Sequence, residues 1–323
     1  MRDDVSAPGD PDHRVLISAY ACSPAYGSWD PGFEGALLPA LFGLPGVAGF
    51  EVPWLGKIHP HDDAWFLNNV PAGAQLAITA LPYVMRRCAA DPHYGIASTD
   101  GAGRAEALSD LRRLAGDVQV LAAHGAKVAV VALHTAPAVM ADADALAESL
   151  AEVADLHWGD AQLVIEHCDA AMPGRPHEKG FLPVADEIAA LTGVDPSIGM
   201  WLNWGRSAIE LRDAGAVATQ IADVADTGRL TGLTFSGASA VDGLYGTAWT
   251  DVHLPLLSAD PRSRSLLDDR QVRVSLSAAG DVPWMGLKVS RRPEDHSVAD
   301  IVRSVGCNLD LIAKAHATCN ETA

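Results

Sequence analysis

The sequence has no CxxC pair, no basic tract, no glycine-rich phosphate fingerprint and no apolar run long enough to cross a bilayer. Each absence removes a class of function. Its 5 cysteines, Cys22, Cys88, Cys168, Cys307 and Cys319, are odd in number and far apart, which argues against structural zinc and against a disulfide framework. Isolated buried thiols are the expectation. With a formal net charge of -18 and no compensating cationic stretch, the chain is poorly suited to a phosphate backbone, so nucleic acid is not expected as a partner. The opening residues, MRDDVSAPGDPDHR, carry no long apolar segment after the basic residue. Neither signal peptide nor membrane anchor is therefore expected, and the default location is cytoplasmic.

What remains is a chain of 323 residues, 49% apolar, with glycine and proline spread along it as punctuation. That composition predicts a folded globular body. After a polar tail over residues 1–12, residues 13–323 read as one domain of alternating strands and helices. RVLISAY, GFEVPWL, AQLAITAL, KVAVVAL, AQLVIE, SIGMWLNW, RLTGLTF and VPWMGLKVS are eight candidate strands, each followed by helical periodicity. Residues 105–125 place Leu108, Leu111, Ala115, Val118 and Ala122 at helical spacing, and further helices are expected near residues 33–42, 142–157, 184–193, 207–225 and 298–316. RQVRVSLSAAG fits either periodicity; its place between the seventh and eighth strands favours helix. Eight such units allow a closed (β/α)8 TIM barrel. An open doubly wound sheet is disfavoured, because neither GxGxxG nor GxxxxGK(S/T) stands at a strand-to-helix junction.

In a barrel the C-terminal ends of the strands converge on one mouth. Reading those ends gives Tyr20 and Cys22, then Glu51 and Trp54, Tyr83, His134, and Glu166 with His167 and Asp169. Asn203, Trp204 and Arg206 follow the sixth strand, Ser236 the seventh, and Lys288 lies in the eighth. Such a ring of polar groups on apolar strands points to a small polar ligand. In AQLVIEHCD, Val164 and Glu166 share one face and Ile165 and His167 the other, so an inward Glu166 reaches the pocket as acid, base or metal ligand. A structural pairing with arginine or lysine is the alternative. Lys288 needs a partner in so apolar a strand: Glu166 across the barrel, a substrate anion, or solvent.

Trp201, Asn203 and Arg206 together suit a sugar, offering a flat apolar surface and directional donors, although Trp201 as core and Arg206 on the protein's own carboxylates remain open. Residues 236–264 form an unusually long connection of the kind that makes lids, and bring Asp251 and His253 to one side of an extended segment. His59 to Asp63, HPHDD, reads as a solvated loop, while Arg175 and Lys179 stand on a mouth loop suited to an anion.

Strand order and mouth residues together resemble the xylose-isomerase-like TIM barrels, a superfamily of sugar isomerases, ketose epimerases, inosose dehydratases and phosphate-ester nucleases. More narrowly, the chain resembles an uncharacterised bacterial group within it. The resemblance implies a divalent metal held by acidic residues after strands five, six and eight and a histidine or aspartate after strand seven. Glu166 matches the first position. Asn203 followed by Arg206 stands where an acid followed by histidine is implied, Thr234 and Ser236 replace the seventh-strand ligand, and Lys288 replaces the last acid. A sugar-sized pocket with a degenerate metal site is the resulting expectation: no metal ligands and no cofactor, with Mn²⁺ or Mg²⁺ as the alternative.

The leading functional expectation is an enzyme that moves a proton on a carbohydrate or polyhydroxy acid, as an isomerase, epimerase or lyase. Glu166, Lys288, His134 and His253 are the candidate catalytic residues, with His134 or His253 opposite Glu166 and Lys288 on a developing enolate. Tyr20, Glu51, Trp54, Trp201, Asn203, Arg206, Ser236 and Asp251 are the candidate substrate-binding residues. Three alternatives stay open: a glycoside hydrolase pairing Glu166 with Glu51 or Asp251, a metal enzyme using Glu166, Asp251, His253 and His167, and a sugar-binding barrel without catalysis. The partner is a small sugar-like molecule, with no membrane and with self-association into a homo-oligomer as a further option.

Overall fold

Alternation along each strand decides which side chains meet inside the molecule. In the computed structural model, which describes residues 15–138 and 140–322, Val164 packs inward with Leu16, Ala48, Ala77, Val130, Ala132, Trp201 and Trp284, while Leu163 and Ile165 turn outward to the helices. The strands are β1 (Val15–Ile17), β2 (Val47–Pro53), β3 (Gln75–Thr79), β4 (Lys127–Leu133), β5 (Gln162–Glu166), β6 (Gly199–Asn203), β7 (Leu230–Phe235) and β8 (Trp284–Leu287). All pair in parallel, in chain order, and β8 closes on β1. The expected (β/α)8 barrel is therefore present. The tail proposed for residues 1–12 lies outside the described residues.

Aspartates start five of the covering helices. Asp30, Asp62, Asp100, Asp142 and Asp268 each accept backbone N–H bonds at a helix N-terminus, satisfying donors that have no partner within the helix. Part of the chain's acidity thus serves its local structure. The ambiguous segment folds as the helix Asp269–Ala279, its stripe Val272, Leu276 and Ala279 buried.

Several boundaries depart from the sequence reading. β1 ends at Ile17, and Tyr20 stands on the helical turn Ala19–Cys22 that follows. A helix, Leu81–Ala90, begins where the third strand was expected to continue, with Pro82 in its first turn, where no backbone donor is needed. The helix expected over residues 105–125 is Gly101–Ala123; Asp100 caps it four residues earlier, ahead of a glycine-containing first turn that propensity disfavours. The expected helix over 207–225 is two, Trp204–Leu211 and Val217–Ala225, separated at Arg212, whose φ is +55°. β8 is 4 residues long, so Lys288 follows the strand instead of lying within it. Among the described residues no helix is long and apolar enough to cross a membrane.

Candidate active site

β5 delivers Glu166 into the barrel as its inward parity requires, and the carboxylate is fully occupied there. Oε1 accepts from Arg206 Nη1; Oε2 accepts from His134 Nε2 at 2.8 Å and from Thr79 Oγ1 at 3.1 Å. Burial alone would raise this acid, but Arg206, then His134 and Lys288, overcome it and hold Glu166 well below the usual carboxylate range. Arg206 gets there because Asn203 ends β6 as a helix cap: its Oδ1 accepts from the N–H groups of Gly205 and Arg206, and the guanidinium projects from the first turn back over the strand ends. The Nδ2 of Asn203 and the Nδ1 of His134 are buried with no hydrogen-bond partner.

On the other wall stands Glu51. Oε1 accepts from Tyr20 Oη at 2.8 Å and from Lys288 Nζ at 3.1 Å, and Oε2 accepts from Ser18. The ammonium also lies 5.0 Å from the centre of the Tyr20 ring, a cation–π distance. Lys288 thus pairs with Glu51, and the pairing with Glu166 considered from the sequence is not formed. β8 neighbours β1, which neighbours β2, so the ammonium has only one strand to cross to reach Glu51. Glu51 and Glu166 both line one cavity, whose wall also includes Leu16, Trp201 and Thr234. Trp201 Nε1 donates to Thr234 Oγ1 at 2.7 Å. The indole forms part of both the barrel core and the cavity wall.

The long connection after β7 closes over this mouth. Asp251 Oδ2 accepts from Arg206 Nε at 3.0 Å and from Lys179 Nζ at 2.9 Å, while its Oδ1 lies 3.0 Å from His253 Nδ1. Ser236 Oγ is 3.4 Å from the same Nδ1. Burial raises Asp251 less than Lys179, His253 and Arg206 lower it, and the acid ends well below its ordinary value. Burial lowers His253 in spite of Asp251, so the imidazole is neutral at pH 7 with its Nδ1 proton directed at the carboxylate.

Most of the sequence candidates therefore gather at the mouth in two hydrogen-bonded groups, one around Glu166, Arg206 and Asp251 and one around Glu51 and Lys288, and Trp54 and His167 stand outside both. Trp54 points away from the mouth: its Nε1 donates to Asp117 at 2.7 Å and its ring packs 4.7 Å from Tyr83 in the helical layer. His134, expected opposite Glu166, is hydrogen-bonded to it. His167, weighed as a metal ligand with Glu166, Asp251 and His253, faces outward, its Nδ1 2.7 Å from Glu187 and its Nε2 2.9 Å from Glu210. Sequence reasoning missed Ser18 and Thr79; the polar residue closing the apolar run AQLAIT was the available signal for Thr79. Among the described residues no group of three histidine, cysteine, aspartate or glutamate side chains is arranged to hold a metal ion.

The closed parallel barrel is a fold shared with solved sugar epimerases. A solved L-ribulose 3-epimerase superposes with a TM-score of 0.61 at 16% identity over 96% of each chain. D-Psicose 3-epimerase from Clostridium cellulolyticum H10, solved with D-tagatose, superposes at 0.56 with 11% identity, over 94% of this chain and 99% of that one. The fold is that of the xylose-isomerase-like TIM barrels. By sequence, residues 16–304 match the domain of unknown function DUF4862, and the chain belongs to that family. An uncharacterized protein of Salmonella typhimurium strain LT2 is 34% identical over 282 residues, which is 85% of this chain and 88% of the relative.

Proposed function

We propose that the chain is an enzyme of the sugar isomerase and epimerase type, moving a proton at the carbon beside a sugar carbonyl without a bound metal. One observation carries the reading: Glu51 and Glu166, from strands three apart around the barrel, line the same cavity. A carboxylate on each wall is what removal of a proton from one face of a flat enediolate and return to another position or face requires. Held ionised by Arg206 and His134, Glu166 is the acceptor. Those contacts also weaken it as a base, so a substrate oxygen that draws Arg206 to itself both anchors the sugar and strengthens the base. On the far wall Lys288 and Tyr20 carry exchangeable protons beside Glu51, and the developing oxyanion is stabilised there. The proton taken by Glu166 passes to solvent, which restores the one given at the Glu51 wall.

The unpartnered Asn203 Nδ2 supports a ligand with hydroxyl groups, since a buried donor left unpaired is costly. His253, turned by Asp251, stands at the rim as a second neutral base. The donor set does not fit a divalent cation. Both oxygens of Glu166 are taken, the Asn203 oxygen caps a helix, and a guanidinium and an ammonium stand beside the carboxylates. A glycoside hydrolase needs one carboxyl kept protonated, and the electrostatics of Glu166 are opposed to that role.

The test is exchange. Neutral ketoses and aldoses are incubated with the protein in D₂O and deuterium at carbon is read by mass spectrometry. Incorporation into one of them, abolished in Glu166→Gln and in Glu51→Gln, is expected. Sugar binding without incorporation across the panel would instead make this a binding barrel.

A further inference from the structure

Beside the first cavity lies a second, which shares Glu51 with it. β2 and the segments that follow β1 and β2 build it, and five aromatic residues, Tyr20, Tyr26, Phe50, Trp65 and Phe66, line it, with Trp29 backing Trp65 edge-on at 5.0 Å. Set into this wall is Glu34, from the helix Pro31–Phe42, only 5% exposed. One oxygen accepts from Ser23 Oγ. Among the described residues no lysine or arginine pairs with it; burial raises it above its ordinary value, and the Ser23 hydrogen bond and then His61, an exposed imidazole that donates to the Tyr26 carbonyl at 2.7 Å, lower it only in part.

His59, the other imidazole at the cavity, supplies no charge. Its Nδ1 accepts from the N–H groups of His61 and Asp62, which leaves its proton on Nε2, and burial lowers the ring to about 4. Tyr26 Oη is buried without a partner. The cavity therefore joins a carboxylate without a lysine or arginine partner to several aromatic rings; a positive guest beside Glu34 favours its ionised form, and the rings favour a cation. Tyr20 already serves as such a surface for Lys288.

We infer that the second cavity binds an organic cation, an ammonium group whose charge is matched by Glu34 and whose carbon substituents pack on Tyr20, Tyr26 and Trp65. The site stands independently of the proton-transfer reading, because it needs occupancy and no turnover.

Its test uses tetramethylammonium chloride as the probe, titrated into the full chain at constant ionic strength, with tert-butyl alcohol as the neutral analogue of similar shape and tryptophan fluorescence and calorimetry as readouts. Saturable binding of the cation, with the alcohol about tenfold weaker or more, is the expected result. Glu34→Gln should weaken the cation about tenfold and leave the alcohol unchanged. No saturable binding of the cation, equal binding of the two probes by the unmodified protein, or undiminished cation binding by a folded Glu34→Gln protein would each overturn the assignment. The comparison of probes on the unmodified chain keeps the test decisive even where the variant does not fold.

Discussion

Arg206 joins two carboxylates from different parts of the chain, donating through Nη1 to Glu166 and through Nε to Asp251. Glu166 ends a strand of the barrel wall and Asp251 belongs to the connection that covers it, so one guanidinium ties the covering segment to the floor of the mouth.

Replacing Arg206 by leucine removes the charge and leaves both carboxylates buried without their shared donor. Breaking a buried pair in this way costs about 3–5 kcal/mol. Urea unfolding should report a loss of that size, whereas a loss under about 1 kcal/mol would show the pair to be as weak as a surface ion pair. Arg206→Lys should recover only part of the loss, because an ammonium cannot present two N–H groups in the guanidinium geometry.

Stability should fall at both ends of the pH scale for identifiable reasons. Glu166 and Asp251 titrate lower in the folded chain than their ordinary 4.5 and 3.8, so what they contribute is complete above those values and is lost as pH drops toward the folded ones. His167 has the opposite sign. Burial lowers it, but Glu187 and Glu210 raise it further, to about 10, so its contribution is complete below 6.5 and is lost as pH climbs from 6.5 to about 10. In urea-midpoint profiles, His167→Gln should be less stable at pH 7 and flatter across that alkaline interval. An unchanged alkaline slope would assign it to another group.

Gly232 on β7 lies against the Trp201 ring, and a Cβ there would collide with the indole. Gly232→Ala should therefore cost about 1–3 kcal/mol by overpacking and displace Trp201 from Thr234. A shift in tryptophan emission together with a lowered unfolding midpoint checks this. An alanine variant with unchanged midpoint would mean that the barrel interior has slack.

Elemental analysis of the purified chain, followed by exhaustive chelation, tests the metal-free reading separately from catalysis. Expected are less than one equivalent of any divalent ion in the purified chain and no change in thermal midpoint after EDTA. A stoichiometric ion whose removal lowers the midpoint would contradict it, since binding to the folded state alone stabilises that state.

The barrel was legible because most strands carry β-branched residues and five of the helices begin at an aspartate cap. Glu166 was legible for the same reason, since alternation with Val164 fixes its face. The closeness of Asp251 and His253 followed from their spacing of two. Pairings between distant segments were not legible: nothing local to Lys288 says that β8 closes on β1 in a register that offers it Glu51. Trp54 misled because it was read by its place at a strand end: by alternation it shares the parity of Phe50 and Val52, which pack outward, and its indole reaches Asp117 there. The end of β1 misled, because no proline or glycine marks the change from Ile17 to the helical turn that carries Tyr20.

Glu51 and Lys288 are 237 residues apart. At ribosomal rates of roughly 5–20 residues per second, the carboxylate is made some ten to fifty seconds before its cation. Until then β2 lacks the ammonium that neutralises Glu51 in the finished barrel, and the acid's lowest-energy place is in water. The nascent chain thus carries an electrostatic reason to keep its mouth unassembled until the last strand arrives, so that closure of the barrel and completion of its chemistry become a single event in the protein's synthesis.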